Sequence, residues 1–409
     1  MKRYLVGGAV RDALLGLPVG ERDWVVVGAT PEEMVAAGFQ PVGKDFPVFL
    51  HPATKEEHAL ARTERKSGRG YQGFTFHTGP EVTLEEDLVR RDLTVNAMAR
   101  DESGTLFDPL GGQDDVQARI LRHVSPAFLE DPVRILRVAR FHTRFAPLGF
   151  KVAPETLSLM RQMVANGEVD HLVPERVWQE MARTLMHAVP STFFYTLREC
   201  GALARILPEV EALFGVPQRA DYHPEIDSGI HTLMCVDAAA RAGAPLPVRV
   251  SALLHDLGKA LTPKSEWPSH KQHEQRGVPL VENVCVRLRV PAECRDLALV
   301  HTREHLRVHL ARELRPETLL ELLEKLGAFR QGPRFAQVLL ACEADAHGRT
   351  GFEDCEYPQT DYLRAATKVA ATIQASDVMG EGVTGPEIGR RLAQRRVQAL
   401  ADWKKSGQQ

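Results

Sequence analysis

Four short apolar runs, Tyr4–Val6, Trp24–Val27, Val48–Leu50 and Ala59–Ala61, punctuate the first third of the chain. Runs of this length between turn-forming residues predict strands, the last two joined by a turn at Pro52-Ala53-Thr54-Lys55. Leu88 through Met98 carries helical spacing, and Phe107-Asp108-Pro109-Leu110-Gly111-Gly112 closes the region with a turn. After Pro126 the texture changes. Apolar residues recur at three- and four-residue steps over Pro132–Arg144, Pro154–Asn166, Pro174–His187 and Arg315–Leu326, with short Pro or Gly breaks between. The pattern predicts an α+β chain: a small head with a mixed sheet and helices, then an elongated all-α body. The expected segments are a head over 1–140, a helical neck over 141–225, a further helical domain over 226–330 and a helical tail over 331–409. The joint near Arg144–Gly149 is expected to fuse head and body rigidly.

Composition narrows the function more by exclusion than by assertion. At 409 residues, 44% hydrophobic and 26% charged, the chain has ample core for several domains. A net charge of -3 supplies no global positive field, so any nucleic acid must be held by a local basic patch. The six cysteines form no CxxC pair, which argues against a zinc ribbon or a disulfide framework and for reduced thiols. The apolar run at the start reaches Arg11-Asp12 too soon for a signal peptide, and no stretch of about 18 uncharged apolar residues predicts a membrane span. A cytoplasmic protein is expected.

Chemistry concentrates first near the N-terminus. Leu5-Val6-Gly7-Gly8-Ala9-Val10-Arg11-Asp12 reads as strand, two-glycine turn and helix start, an arrangement whose backbone N–H groups can approach a triphosphate. Glu21-Arg22-Asp23 then places two carboxylates two residues apart at the head of a Val-rich strand, on one face and able to share divalent ions. Either half alone is commonplace; together and in this order they are the equipment of metal-assisted nucleotidyl transfer. The Gly-rich basic stretch Thr63–Phe74 reads as a mobile loop at that site.

Gly-Gly-Ala-Val-Arg-Asp, the acidic pair, Arg90-Arg91-Asp92 before Asn96-Ala97, and Glu130-Asp131-Pro132-Val133-Arg134 resemble the class II tRNA nucleotidyltransferases, CCA-adding enzymes of the polymerase-β-like superfamily. The likeness spans the chain and is nearest the bacterial multifunctional form with a C-terminal HD phosphohydrolase domain, which would occupy 226–330. It implies template-independent addition of C, C and A to the tRNA 3′ end from CTP and ATP. Gly8, Arg11, Arg91, Arg137 and Arg140 match positions that bind the incoming nucleotide, and Glu21 and Asp23 match the Mg2+ pair. The sequence departs at Glu21, where the family usually has aspartate; the charge is kept and the arm is one methylene longer.

Base choice follows from hydrogen-bond arithmetic. Cytosine and adenine both present an amine donor beside a ring-nitrogen acceptor, and uracil and guanine reverse that order. A carboxylate that only accepts and a guanidinium that only donates therefore select C and A. Asp131 and Arg134 stand three apart at the start of a predicted helix, so they share a face, and Arg137 and Arg140 continue it. With Arg144, Phe141 and Phe145 this row also makes a local surface for tRNA phosphates.

A second centre is marked by Ser251-Ala252-Leu253-Leu254-His255-Asp256-Leu257-Gly258-Lys259, a His-Asp pair ending an apolar helix. With His231 upstream it resembles the HD metal-dependent phosphohydrolase pattern, with His273, His301, His305 and Asp345 as candidates for further ligands. The resemblance implies hydrolysis of 2′,3′-cyclic phosphates, 2′-nucleotides and phosphomonoesters with Ni2+ or another divalent transition metal. It leaves a monomer or homodimer open. Two other readings stand beside it. A bacterial poly(A) polymerase shares the head motifs but is expected to carry a basic tail, against a pI of about 6.6 and the short end Ala401–Ser406. A catalytically silent tRNA-binding protein is favoured only by Glu21.

Overall fold

The computed structural model describes residues 1–42, 48–66, 74–379 and 385–407, which divide into two compact units. The first comprises Met1–Thr184 with Thr192–Ile206, and the second Leu185–Ser191 with Leu207–Gln409. These units cut across the four segments expected from sequence, and residues 140 and 141 are consecutive in one helix, Val133–Phe145.

The first unit opens with β1 (Lys2–Val6), α1 (Gly8–Leu14), β2 (Asp23–Val27), α2 (Pro31–Ala36), β3 (Gln40–Val42), β4 (Val48–Leu50), β5 (Glu57–Leu60), β6 (Arg62–Lys66) and β7 (Phe74–Thr78). It continues through α3 (Leu84–Val89), β8 (Ala99–Asp101), β9 (Leu106–Phe107), α4 (Gly112–Ala118) and β10 (Ile120–Leu121). A mixed seven-stranded sheet runs in the order β3-β4-β5-β2-β1-β8-β9, and β6 pairs separately with β7. β1 is antiparallel to both β2 and β8, whereas β2 is parallel to β5. Successive residues of β2 feed opposite cores. Val25 packs with Tyr4, Val6, Leu88, Ala97 and Ala99, and Val26 with Ala29, Met34, Phe39, Phe49 and Leu60. A strand buried on both faces reads as a continuous apolar run, which is why Trp24–Val27 was legible as one.

One expectation fails. Leu88–Met98 is not a helix: α3 starts at Leu84, where Thr83 and Glu86 form a capping box, and stops at Val89. Beyond it Thr94–Asn96 makes a single 3₁₀ turn, and Leu93 bridges to His123. Leu88, Leu93, Val95, Ala97 and Met98 are all fully buried, so apolar residues recur there because every side is covered, not because one helical face is. The turn at Phe107–Gly112 forms as expected, with Asp108 accepting from the Gly112 and Gln113 amides to start α4.

The helical part of this unit comprises α5 (Val133–Phe145), α6 (Pro154–Ala165), α7 (Pro174–Leu185), α8 (Ser191–Glu199) and α9 (Leu203–Ile206). Between α5 and α6, β11 (Lys151–Val152) pairs in parallel with β10 of the head, so the Arg144–Gly149 joint lies inside one compact unit. Of the Thr63–Phe74 stretch, residues 67–73 lie outside the described residues.

The second unit is helical: α10 (Pro208–Glu211), α11 (Ser228–Arg241), α12 (Leu246–Leu254), α13 (His273–Arg287), α14 (Ala292–His309), α15 (Pro316–Lys325), α16 (Gly332–His347), α17 (Gln359–Ala371) and α18 (Gly385–Lys405). Its core is built where α11, α12, α14 and α16 pack on one another. No helix among the described residues is long and apolar enough to cross a membrane.

Candidate functional sites

In the head, the strand register sets the first site. Asp23 opens β2 beside Val6 at the end of β1 and is also in register with Glu57 on β5. Glu21 precedes the strand and is exposed. Asp23 and Val25 have the same parity, so the carboxylate faces the layer that contains Leu88 and Ala97. Partial burial raises the Asp23 pKa; Arg91 opposes the rise, and Glu21 adds to it. The glycine turn is next to this carboxylate. Gly7 has a φ of 67°, a region that favours glycine, and a Cβ there would come 3.1 Å from Arg91 Nη1. Gly7, Asp23 and Arg91 thus form one neighbourhood.

Arg11 is placed differently from a side chain reaching freely for phosphate. It is buried, donates to Asp12 Oδ1 at 2.9 Å through Nε and to Asn96 Oδ1 through Nη1, and lies about 5 Å from the rings of Phe141 (5.1 Å) and Phe145 (4.8 Å). A Cβ on Gly8 would lie 3.4 Å from Arg11 Nη2, so the helix start and this guanidinium pack on each other. Arg91 donates through Nη2 to the buried Asp87 at 3.0 Å.

The row on α5 is tied down step by step. Arg134 is buried and donates to the carbonyls of Ala127 (2.9 Å) and Arg90 (2.7 Å). Arg137 Nε donates to Asp92 Oδ2 at 2.7 Å, Arg140 Nε to Glu180 Oε2 at 2.5 Å, and Arg144 Nη2 to Asp12 Oδ2 at 2.8 Å. Burial alone would raise Asp92, yet Arg137 and the Asn96 amide hold it well below the usual carboxylate range. Asp131 does not pair with Arg134; its carboxylate receives the Arg176 fork at 3.3 and 3.1 Å. The expected basic surface is therefore largely charge-compensated. Asp92, Asp87, Arg176 and Glu180 received no role from the sequence; the partners of Asp92, Arg176 and Glu180 are set by tertiary packing, as with Asp131 and Arg176 at 45 positions apart, whereas Asp87 meets Arg90 and Arg91 only three and four residues on.

The second unit gathers a dense imidazole and carboxylate centre. His231 comes from α11, His255 and Asp256 follow the end of α12, and Asp345 lies on α16. His231 Nε2 is 3.0 Å from Asp345 Oδ1 and 3.7 Å from Asp256 Oδ2. His255 Nε2 is 3.3 Å from Asp256 Oδ2 and 3.6 Å from Asp345 Oδ2. Donors bound about 2.1 Å from a common ion stand roughly 3.0–3.4 Å apart; two of these pairs fall in that range and two are slightly wider, and His231, His255 and Asp345 lie close enough together to hold a divalent metal, with Asp256 beside them. Their chemistry fits too: imidazole with carboxylate suits borderline transition metals. His255 Nε2 and Asp256 Oδ1 are buried with no hydrogen-bond partner. Burial opposes a charged His255, but Asp256 and Asp345 push its pKa up to about 10, as expected where a cation belongs. Lys259 Nζ donates to Asp256 Oδ2 at 2.5 Å.

Of the further ligand candidates, Asp345 joins this group, and His273 and His305 face Asp256 from its other side. His301 stacks on His255 and bonds Ser251 Oγ through Nδ1. Cys235 was missed: one turn after His231, its Sγ is 3.4 Å from His231 Nε2. Burial holds its thiol pKa well above normal, so it is neutral. All six cysteines are free thiols. A cleft of about 520 Å³ opens on the centre, lined also by Arg219, Lys259, Arg349 and Tyr357.

Gly258 explains the glycine after the His-Asp pair. A Cβ there would overlap the His273 carbonyl oxygen and come 2.6 Å from Gly277 N, so the Leu257–Leu261 turn lies directly on α13. Gly258→Ala is expected to cost about 1–3 kcal/mol, by the usual price of overpacking. It should lower the thermal unfolding midpoint measured by circular dichroism; an unchanged midpoint would contradict this packing.

Comparison with known proteins gives three consecutive family matches: a poly A polymerase head domain over residues 3–122, a probable RNA and SrmB-binding site of polymerase A over 149–214, and an HD domain over 229–329. The multifunctional CCA protein of Alkalilimnicola ehrlichii is 62% identical over 98% of this chain and 97% of its own length. That of Thioalkalivibrio sulfidiphilus is 64% identical over 98% of this chain and 100% of its own. Among solved structures, the Bacillus stearothermophilus CCA-adding enzyme in complex with CTP aligns with a TM-score of 0.64 and 25% identity, covering 98% of this chain and 89% of that one. The Thermotoga maritima CCA-adding enzyme complexed with tRNA shares the fold, with a TM-score of 0.61 at 18% identity over 98% and 87% of the two chains.

Proposed function

The chain belongs to the multifunctional CCA protein family, and on that premise we propose that it builds and repairs the 3′-terminal CCA of tRNA from CTP and ATP and hydrolyses phosphoesters at its HD centre. The supporting observation is the meeting of Gly7, Asp23 and Arg91, a turn, a carboxylate and a guanidinium brought together from three separate segments. Glu21 and Asp23 would hold Mg2+, a hard ion suited to carboxylate oxygens. A divalent ion there supplies charge that activates the attacking 3′-hydroxyl and neutralises the leaving pyrophosphate. Gly8, Arg11, Arg91, Arg137 and Arg140 form the nucleotide site. Arg11 contributes mainly by fixing the helix start, since its guanidinium is already engaged by Asp12 and Asn96.

Asp131 and Arg134 are assigned to base selection. The Arg176 fork orients the Asp131 carboxylate, and two main-chain carbonyls orient the Arg134 plane, so both are preorganised rather than mutually neutralised. At the second centre, His231, His255, Asp256 and Asp345 would hold Ni2+ or a similar ion, which polarises a phosphoryl oxygen and activates water. Lys259 and Arg219 give the cleft positive charge for a 2′,3′-cyclic phosphate, a 2′-nucleotide or a phosphomonoester. A cytoplasmic location suits a tRNA-processing enzyme.

End-sequencing of a tRNA lacking its CCA, incubated with all four nucleotides, tests the reading. The expected product ends in C, C and A; incorporation of U as readily as C would refute it. With CTP alone the chain should add C, which a poly(A) polymerase would barely do. Asp131→Ala is expected to raise UTP use relative to CTP by about 10-fold or more, the loss of one discriminating hydrogen bond. An unchanged nucleotide ratio would remove Asp131 from base selection.

A further inference from the structure

The second unit carries a cleft that neither proposed reaction uses. It has a volume of about 480 Å³ and lies where the loop from α15 to α16 meets the middle of α18. Arg330, Arg334 and Arg396 line it, with Phe329, Lys325 and one carboxylate, Glu324. Among the described residues, none of these three arginines forms an ion pair. Arg334 Nη1 donates to Gln331 Oε1 at 2.8 Å, and its Nε is buried with no hydrogen-bond partner. Arg396 donates to the Ile373 carbonyl through Nε at 3.3 Å and Nη2 at 3.2 Å. Those acceptors are neutral, so they satisfy donors without cancelling charge. Lys325 is compensated by Glu321 at 2.6 Å.

This is the reverse of α5, where Arg137, Arg140 and Arg144 each meet a carboxylate. Guanidiniums gathered without acid partners repel one another, and an anion in the cleft relieves that cost. Phosphate suits them best, because two parallel N–H groups of one fork meet two of its oxygens. The ring beside them narrows the ligand further. Arg396 Cζ lies 4.3 Å from the centroid of Phe329, over a ring that stays partly exposed. The stacked pair makes a flat platform next to the phosphate donors, and any nucleobase can stack on such a platform. The loop that presents Phe329 and Arg330 is fixed. The Gly327 and Ala328 amides close α15 on the carbonyls of Glu324 and Leu323 at 3.0 Å each, and the Arg330 and Gln331 amides donate to the Gly327 carbonyl at 3.1 and 2.8 Å.

We infer that this cleft is a nucleotide-binding site sharing no residue with either catalytic centre. It takes the phosphates of a free nucleoside diphosphate or triphosphate on Arg330, Arg334 and Arg396, and the base on Phe329. The volume suits a ligand of that size. Glu324 in the lining, with Glu304 and Glu321 close by around Lys325, favours a compact anion over a long polyanion, which would have to pass those carboxylates. Binding there needs no metal and no catalysis at the other centres.

Equilibrium dialysis of the full-length chain against labelled ADP in EDTA tests this, because chelation disables the metal-dependent centres. ADP is expected to bind, and its affinity to fall about 10-fold or more in Arg330→Glu and in Phe329→Ala, through loss of a charged hydrogen bond or of base stacking. Arg330 is exposed, so its reversal should leave the thermal melt unchanged even if Phe329→Ala loosens the loop. Photolabelling with 8-azido-ADP should mark the peptides that contain Phe329 or Arg396. No binding in EDTA overturns the site. Binding that Arg330→Glu leaves unchanged, or label confined to residues of the first unit, overturns its placement. Inorganic phosphate that displaces ADP at equal concentration overturns the nucleotide and leaves a plain anion cleft. Displacement by truncated tRNA at 100-fold lower concentration, lost in Arg330→Glu, overturns the free ligand in favour of RNA.

Discussion

Asp23→Ala is expected to reduce nucleotide addition to a truncated tRNA by about 10³-fold or more while leaving phosphohydrolysis within a factor of two. The size follows from the several kcal/mol of charge stabilisation that a metal supplies to phosphoryl transfer, since each 1.4 kcal/mol is tenfold in rate. The selectivity follows from placement: Asp23 belongs to the first compact unit and the imidazole centre to the second. Asp23 is also a rim residue at the end of a strand whose core contacts begin at Val25, so its loss should barely change stability. Its pKa, raised by burial, should fall when a divalent ion binds, because the ion compensates the carboxylate charge that burial penalises. Single-turnover incorporation of labelled CTP, alongside a thermal melt, checks both statements. Retention of addition within tenfold would move metal binding away from this strand.

His255→Ala is expected to produce the mirror image. Hydrolysis of a 2′,3′-cyclic nucleotide should fall below detection, and CCA addition should stay near the unsubstituted rate. His255 Nε2 stands between Asp256 and Asp345, at 3.3 and 3.6 Å. Removing it leaves two buried carboxylates with less compensation and one ligand fewer for the ion, and losing one partner of a buried charged group is expensive. The melt should therefore shift downward as well. His255→Gln keeps volume and a hydrogen-bonding tip, so it separates lost chemistry from lost stability. It should hydrolyse no better than His255→Ala even where it melts closer to the parent protein. Loss of both activities in a folded His255→Gln protein would contradict two separate sites.

Particular elements show where a linear reading reaches its limit. Trp24–Val27 and the glycine turn were legible because a buried strand and a tight turn are local statements about apolarity and backbone freedom. The α5 helix was legible from its three- and four-residue spacing, but the fate of its arginines was not. The chain gives no hint that Arg137 will meet Asp92 or that Arg176 will hold Asp131, each pair being 45 positions apart. Leu88–Met98 misled for a related reason: a segment buried on every side produces apolar spacing without a helix.

The sequence by itself determined a mixed head followed by helices, the carboxylate pair before a strand, the glycine cradle and the His-Asp mark of a second centre. These depend on neighbours along the chain, where spacing and residue type carry the physics. Only the tertiary structure decided that Arg91 stands over Gly7, that Asp345 closes on a histidine 90 positions earlier, and that Asp256 faces two groups of imidazoles at once. Those juxtapositions arise when separate helices pack to bury their apolar faces, and the distances between their polar tips follow from that packing.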